Sequence, residues 1–217
     1  MENSLQDSVW RMTLTEFLEK TASNAPTPGG GSVTMVSASL GLGLVIMALE
    51  ISLHKKASVE ELQIIEDLLK TARQQLDSLT LHADKDVMAF QNYMNALSLP
   101  KQTAEQKLQR KQAMEQAILT ATNVPLEAAR DTLAAIALAI KAAEVAHLQV
   151  ISDVGAGATL LGGAIAGVLF NVDINLPSIS DPEIKQKFAL SRTQLAEQSQ
   201  AKVATILERV NQRIGKN

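Results

Sequence analysis

Hydrophobic positions recur along the chain at three- and four-residue intervals, the spacing that gathers them on one face of an α-helix, and no stretch alternates as a strand hairpin would. Thr13 and Glu16 form a capping-box pair, in which hydroxyl and carboxylate each satisfy a free amide, and predict a short helix over 14–23. The segment Ala25 to Gly31, with two prolines and three successive glycines, breaks it. From Ser32 to about Leu53 apolar residues continue without a polar face, which predicts a helix buried on nearly every side and therefore central. Ser58 with Glu61 caps a long amphipathic helix, apolar at 62, 65, 68, 69, 72, 76 and 79 and then at Val87, Phe90, Tyr93, Met94 and Leu97. It runs to Pro100 over about 40 residues, or about 60 Å, with a break allowed near His82. Thr103 with Gln106 opens a further helix, which Pro125 either kinks or divides into 104–122 and 125–146. A Gly-rich apolar helix is predicted over 153–171, and Asp181-Pro182 caps a last helix reaching about Arg213. The elements predict an all-α fold, a bundle of long, partly kinked helices around a central Gly-rich apolar helix. No repeat, low-complexity tract or long linker divides it, so one domain over 1–217 is expected.

Composition narrows this picture. Hydrophobic residues make up 46% and charged residues 20%, a globular balance, while aromatics are only 3%, so the core is expected to consist of Ala, Leu, Ile, Val and Met. The lack of cysteine excludes disulfides, thiolate metal sites and cysteine nucleophiles, and fits the cytoplasm. The start, MENSLQDSVWRM, has neither the basic head nor the apolar core of a secretory signal. A net charge of −3 offers no bulk attraction to nucleic acid and points instead to a small-molecule or protein partner. The apolar run 32–49 is near the minimum membrane span, yet it contains Ser, Thr and Gly and lacks Trp or Tyr anchors, and 154–170 is again short. Both are read as buried helices of a protein that does not enter a membrane.

The glycine run PGGGS, residues 28–32, is not a nucleotide phosphate loop, which needs a Lys followed by Ser or Thr after its glycines, and no strand precedes it as a dinucleotide fingerprint requires. Two readings remain. It is a tight turn that lets two helices pack, or a place where a carboxylate or phosphate meets bare backbone and the first amides of a helix.

PTPGGGS at 26–32, DKDVMAF at 84–90, LPK at 99–101, VPL at 124–126, SDVGAG at 152–157 and NVDINL at 171–176 occur in the order found in the formiminotetrahydrofolate cyclodeaminase family. The chain resembles that family over about residues 13–213, including stand-alone relatives assigned as methenyltetrahydrofolate cyclohydrolases. The resemblance implies an all-helical homodimer that acts on a reduced folate, with no metal and no tightly bound cofactor. In the implied reaction, folate N10 attacks the formimino carbon carried on N5, the ring closes to 5,10-methenyltetrahydrofolate, and ammonia leaves. Cyclohydrolase chemistry, or folate binding without turnover, are its alternatives. Two departures stand out: His54, Lys55, Lys56 and Ala57 replace a Gly-Lys-Lys stretch, and AHLQ at 146–149 replaces an Asn-rich turn.

Such chemistry needs proton carriers. Asp84 and Asp86 are the leading carboxylates, with Asp86 favoured because it lies one turn before Phe90; the alternative is a solvated pair beside Lys85. His82 is spaced to share a helix face with Asp86 and is a candidate to tune or replace a carboxylate, or else a surface histidine. Ser152 and Asp153 either cap the following helix or, as the resemblance suggests, meet the pterin's NH donors. Asn171 and Asn175 share a face and offer amides to a ligand, or cap the helix end. Pro28, Gly29, Gly30, Gly31, Ser32 and Lys101 are candidates for the folate's glutamate tail or its polyglutamate extension. His54, His82 and His147 lack metal-ligand spacing, and Arg11, Lys55 and Lys56 read as rim charges.

Overall fold

The computed structural model describes residues 8–55 and 58–215; residues 1–7, Lys56, Ala57, Lys216 and Asn217 lie outside them. Six α-helices, and no strand, occur among the described residues: α1 (Leu14–Thr21), α2 (Gly30–Leu53), α3 (Val59–Leu97), α4 (Ala104–Val145), α5 (Ile151–Asn175) and α6 (Pro182–Ile214). Short 3-10 turns at Val9–Arg11, Leu148–Val150 and Leu176–Ser178 join them.

The starts follow from local chemistry. The capping boxes Thr13/Glu16, Ser58/Glu61 and Thr103/Gln106 all form, and the Asp181 side chain accepts from the amides of Glu183 and Ile184. Some boundaries differ from the sequence pattern, and two questions it left open, at His82 and Pro125, are answered. Helix α2 begins at Gly30 rather than Ser32, with Gly29 at its cap and no capping side chain. Helix α3 runs unbroken past His82, and α4 passes through Pro125 without dividing. Helix α5 starts at Ile151 and continues four residues beyond 171, so that Asn175 is its last residue.

Helices α2 and α5 form the centre and run antiparallel. A Cβ on Gly41 would stand 2.8 Å from the Gly157 carbonyl oxygen, and one on Gly157 would stand 2.5 Å from that of Gly41, so the two backbones touch where neither carries a side chain. Further along, a Cβ on Gly167 would collide with Thr34. Around this pair the largest fully buried side chains are aliphatic or Met, including Met35, Leu49, Leu79, Ile136, Leu169 and Ile206, and no aromatic is among them. The stretches Gly30–Leu53 and Leu148–Ser178 are long and apolar enough to cross a membrane; 56% and 50% of their apolar windows are buried inside the bundle.

Candidate active site

One end of the α2/α5 pair opens into a cavity of about 410 Å³, a size suited to a small organic ligand. Its walls come from the strap between α1 and α2 (Pro26, Thr27), the start of α2 (Gly29, Gly30, Gly31), one face of α3 (Asp86, Ala89, Phe90, Tyr93), the middle of α4 (Ile118, Ala121, Val124, Pro125) and the end of α5 (Asn171, Ile174, Asn175).

Asp86 is the ionisable centre. Its Oδ2 accepts from the Ser32 amide at 2.9 Å and from the Ser32 hydroxyl at 2.9 Å, while Oδ1 accepts a long 3.4 Å bond from Asn171 Nδ2. The Ser32 hydroxyl also lies 3.1 Å from the Ala83 carbonyl oxygen, so its single proton has two acceptors within reach. Because α2 lacks a capping side chain of its own, the carboxylate of α3 takes that role, sitting where first-turn amides and the helix dipole favour an anion. The glycine run is thus an anion site whose resident anion is the protein's own carboxylate. A Cβ on Gly31 would run into that carboxylate and into the Asn171 amide, so glycine is the residue that permits the approach. Burial pushes the Asp86 carboxyl above the usual carboxylate range, against the opposing pull of the bonds from Ser32 and Asn171. A carboxyl so placed can hold or release a proton nearer to neutral pH than a solvated one.

Asn175 carries a second local argument. Pro125 has no N–H, so it leaves the carbonyl of Ala121, four residues earlier in α4, without its helical donor. Asn175 Nδ2 fills that vacancy at 3.0 Å. The pair fastens the end of α5 to the middle of α4 at the cavity wall, and both residues line the cavity.

Other expected site residues lie elsewhere. Asp84 faces the N-terminal segment, accepting from the Ser8 hydroxyl at 2.7 Å and the Val9 amide at 2.9 Å, and does not line the cavity. His82 is 2% exposed and is no surface histidine; its Nε2 meets Asp131 Oδ2 of α4 at 2.8 Å, and Asp131 also accepts from Ser78. Despite the shared helical spacing, His82 points between α3 and α4 while Asp86 points at α2. Ser152 and Asp153 stand in the first turn of α5, about 33 Å along the helix from Asn175, and cap nothing there. Pro28 lines a neighbouring cavity beneath the N-terminal segment. The described residues of both departures from the family pattern sit at the far end of α2, where His54 follows the last turn and the His147 amide donates to Ser52; Lys56 and Ala57 lie outside the described residues.

Lys101 lies in an outer trough with Lys107, Arg110 and Lys111, and that trough shares Ile118 and Ser178 with the Asp86 cavity. Sequence reading missed Tyr93, Ile118 and Ala121. The first was legible, since 86, 89, 90 and 93 fall on one face of α3; the others needed the α4 packing. Among the described residues no group of three or more His, Cys, Asp or Glu is placed to hold a metal ion.

Fold and site together define an all-helical protein with one part-buried carboxyl in the wall of a ligand-sized cavity, a constellation for proton transfer. The chain belongs to the formiminotransferase-cyclodeaminase family, whose model matches residues 13–194. It is 34% identical over 198 residues to the methenyltetrahydrofolate cyclohydrolase of Methylorubrum extorquens, covering 91% of this chain and 93% of that protein. It is 32% identical to the formimidoyltransferase-cyclodeaminase of Gallus gallus over 91% of this chain, but spans only 36% of that longer protein. The crystal structure of formiminotetrahydrofolate cyclodeaminase from Thermotoga maritima superposes with a TM-score of 0.77 at 25% identity, covering 96% of this chain and 98% of that one.

Proposed function

We propose that the chain is a single cyclodeaminase-like domain over 1–217 that binds a reduced folate in the Asp86 cavity and closes 5-formiminotetrahydrofolate to 5,10-methenyltetrahydrofolate with loss of ammonia. The observation that carries this reading is a part-buried Asp86, its carboxyl pushed above the usual carboxylate range by burial, lining a cavity in a family whose relatives are named for these reactions. In the step, the formimino group enters protonated, as –CH=NH2⁺; N10 forms a bond to its carbon and gives up its proton, the bond from that carbon to the former imino nitrogen breaks, and this nitrogen leaves as NH3 while the positive charge stays on the methenyl bridge. One carboxyl that reaches both nitrogens relays the proton from N10 to the departing amine. Asn171 and Asn175 offer amides to the pterin edge, and Phe90 and Tyr93 offer flat apolar walls.

The glutamate tail, with or without further glutamates, would leave past Ile118 and Ser178 toward Lys101, Lys107, Arg110 and Lys111. The cyclohydrolase reading is favoured by the Methylorubrum relative and uses the same atoms, with water attacking the methenyl carbon. A homodimer in the cytoplasm, without metal or tightly bound cofactor and engaging neither membrane nor nucleic acid, completes the proposal. The absence of cysteine and the burial of both long apolar helices support it.

Incubation with 5-formiminotetrahydrofolate, followed by methenyl absorbance and ammonia release, tests the main reading; a rate no faster than buffer removes it. Methenyltetrahydrofolate consumption in a parallel cuvette separates the hydrolase.

A further inference from the structure

The two carboxylates of the DKD motif hold opposite ends of one excursion of the chain. Asp84 receives Ser8 and Val9, and Asp86, two residues on, receives Ser32. Everything between, the 3-10 turn, α1 and the strap with Pro26 and Thr27, is a loop pinned at both ends to one turn of α3. Within that loop α1 supplies little anchorage: it buries none of its residues, and Leu14 and Leu18 are 80% and 67% exposed. The loop's attachments include the buried Val9 side chain, the partly buried Phe17 packed against the core, the two bonds to Asp84, and the Trp10 indole N–H donating to the Thr80 carbonyl at 2.7 Å. A cavity of about 450 Å³ lies between this segment, α1 and the strap, with Val87 of α3 and Thr27 and Pro28 in its wall. Thr27 lines the Asp86 cavity as well, so one residue forms the partition between the two spaces.

We propose that Asp84 is a positioning residue: by clamping Ser8 and Val9 it closes the N-terminal loop and holds the Pro26–Gly29 strap as the outer wall of the Asp86 cavity. A charged acceptor suits this role, because each of its oxygens takes one N–H or O–H donor and a charge-assisted bond is about twice as strong as a neutral one. It carries no proton for the reaction, since both oxygens are engaged away from the cavity.

Trp10 is the only tryptophan in the chain, so its fluorescence reports the segment directly. In Asp84→Asn and Ser8→Ala we expect red-shifted emission and readier acrylamide quenching. KM should rise about tenfold in Asp84→Asn and less in Ser8→Ala, with kcat within about threefold of wild type, the signature of lost positioning rather than lost chemistry. Ser8 also caps the 3-10 turn by accepting from the Trp10 amide, so the double variant isolates the pair: the two effects should be less than additive. A kcat loss of about 10²-fold or more in Asp84→Asn with unchanged Trp10 emission would make Asp84 a proton carrier and overturn the proposal. Unchanged quenching in both variants overturns it equally. The kinetic arm rests on the folate reading and the fluorescence arm does not; a protein that turns over neither folate loses that reading, while Trp10 still decides the clamp.

Discussion

Asp86 has two demands made of it, as cap and as acid. It satisfies the Ser32 amide that α2 leaves bare, and its burial costs the charged form enough to lift its pKa. With a folded-state pKa above the unfolded one, the carboxyl contributes to folding below the unfolded value and loses that contribution as pH rises through the folded value. Asp86→Asn keeps an oxygen for Ser32 and carries no such penalty. Its melting temperature relative to wild type should therefore improve from pH 4 to pH 7, while methenyl formation falls by about 10² or more. Full activity in a folded Asp86→Asn protein would return the residue to a purely structural role. The motif made Asp86 legible in the sequence, and the i, i+4 spacing did the same for Asn171 and Asn175. For His82 spacing misled, because residues four apart on a helix meet whichever neighbour packs there, and its neighbour is Asp131; Asp84 was a candidate through the motif, and two residues from Asp86 it turns to the N-terminal segment. Ser152 and Asp153 failed for a different reason: a motif's order along the chain says nothing about which end of a long helix faces the site.

At the scale of elements, α4 shows how a helix breaker becomes a building block. Proline inside a helix costs about 3 kcal/mol when nothing compensates, yet α4 runs on through Pro125 and the freed Ala121 carbonyl is occupied from α5. Asn175→Ala should cost about 0.5–1.5 kcal/mol in denaturant titrations, the net worth of a hydrogen bond to a part-buried acceptor. In a Pro125→Ala background the helix can supply its own N–H, and the same substitution should cost markedly less. Equal costs in both backgrounds would separate Asn175 from the proline. Sequence pattern left open whether Pro125 kinks or divides the helix, because the answer depends on a donor 50 residues away. Helix starts, by contrast, were readable wherever a side chain next to the helix performs the capping, as at Thr13, Ser58, Thr103 and Asp181. The start of α2 was misjudged by two residues because its cap comes from another helix.

The whole molecule leaves an apolar face uncovered. Leu40 and Met47 on α2, and Leu160, Phe170 and Ile174 on α5, are 39% to 76% exposed on two adjacent helices. Helices of about 24 residues laid side by side present a face of roughly 36 Å by 20 Å, about 700 Å² for each copy, close to a standard interface. Light scattering should return twice the chain mass, and Phe170→Asp should halve it; a monomeric wild type would remove the homodimer from the proposal. The bare contact between Gly41 and Gly157 has its own reach. It acts as a fulcrum: Ser32 and Asn171, the residues that grip Asp86, sit on the two arms that pivot there. A methyl group at either glycine meets the facing carbonyl, so Gly41→Ala or Gly157→Ala should part the two helices and, with them, the two residues that hold Asp86.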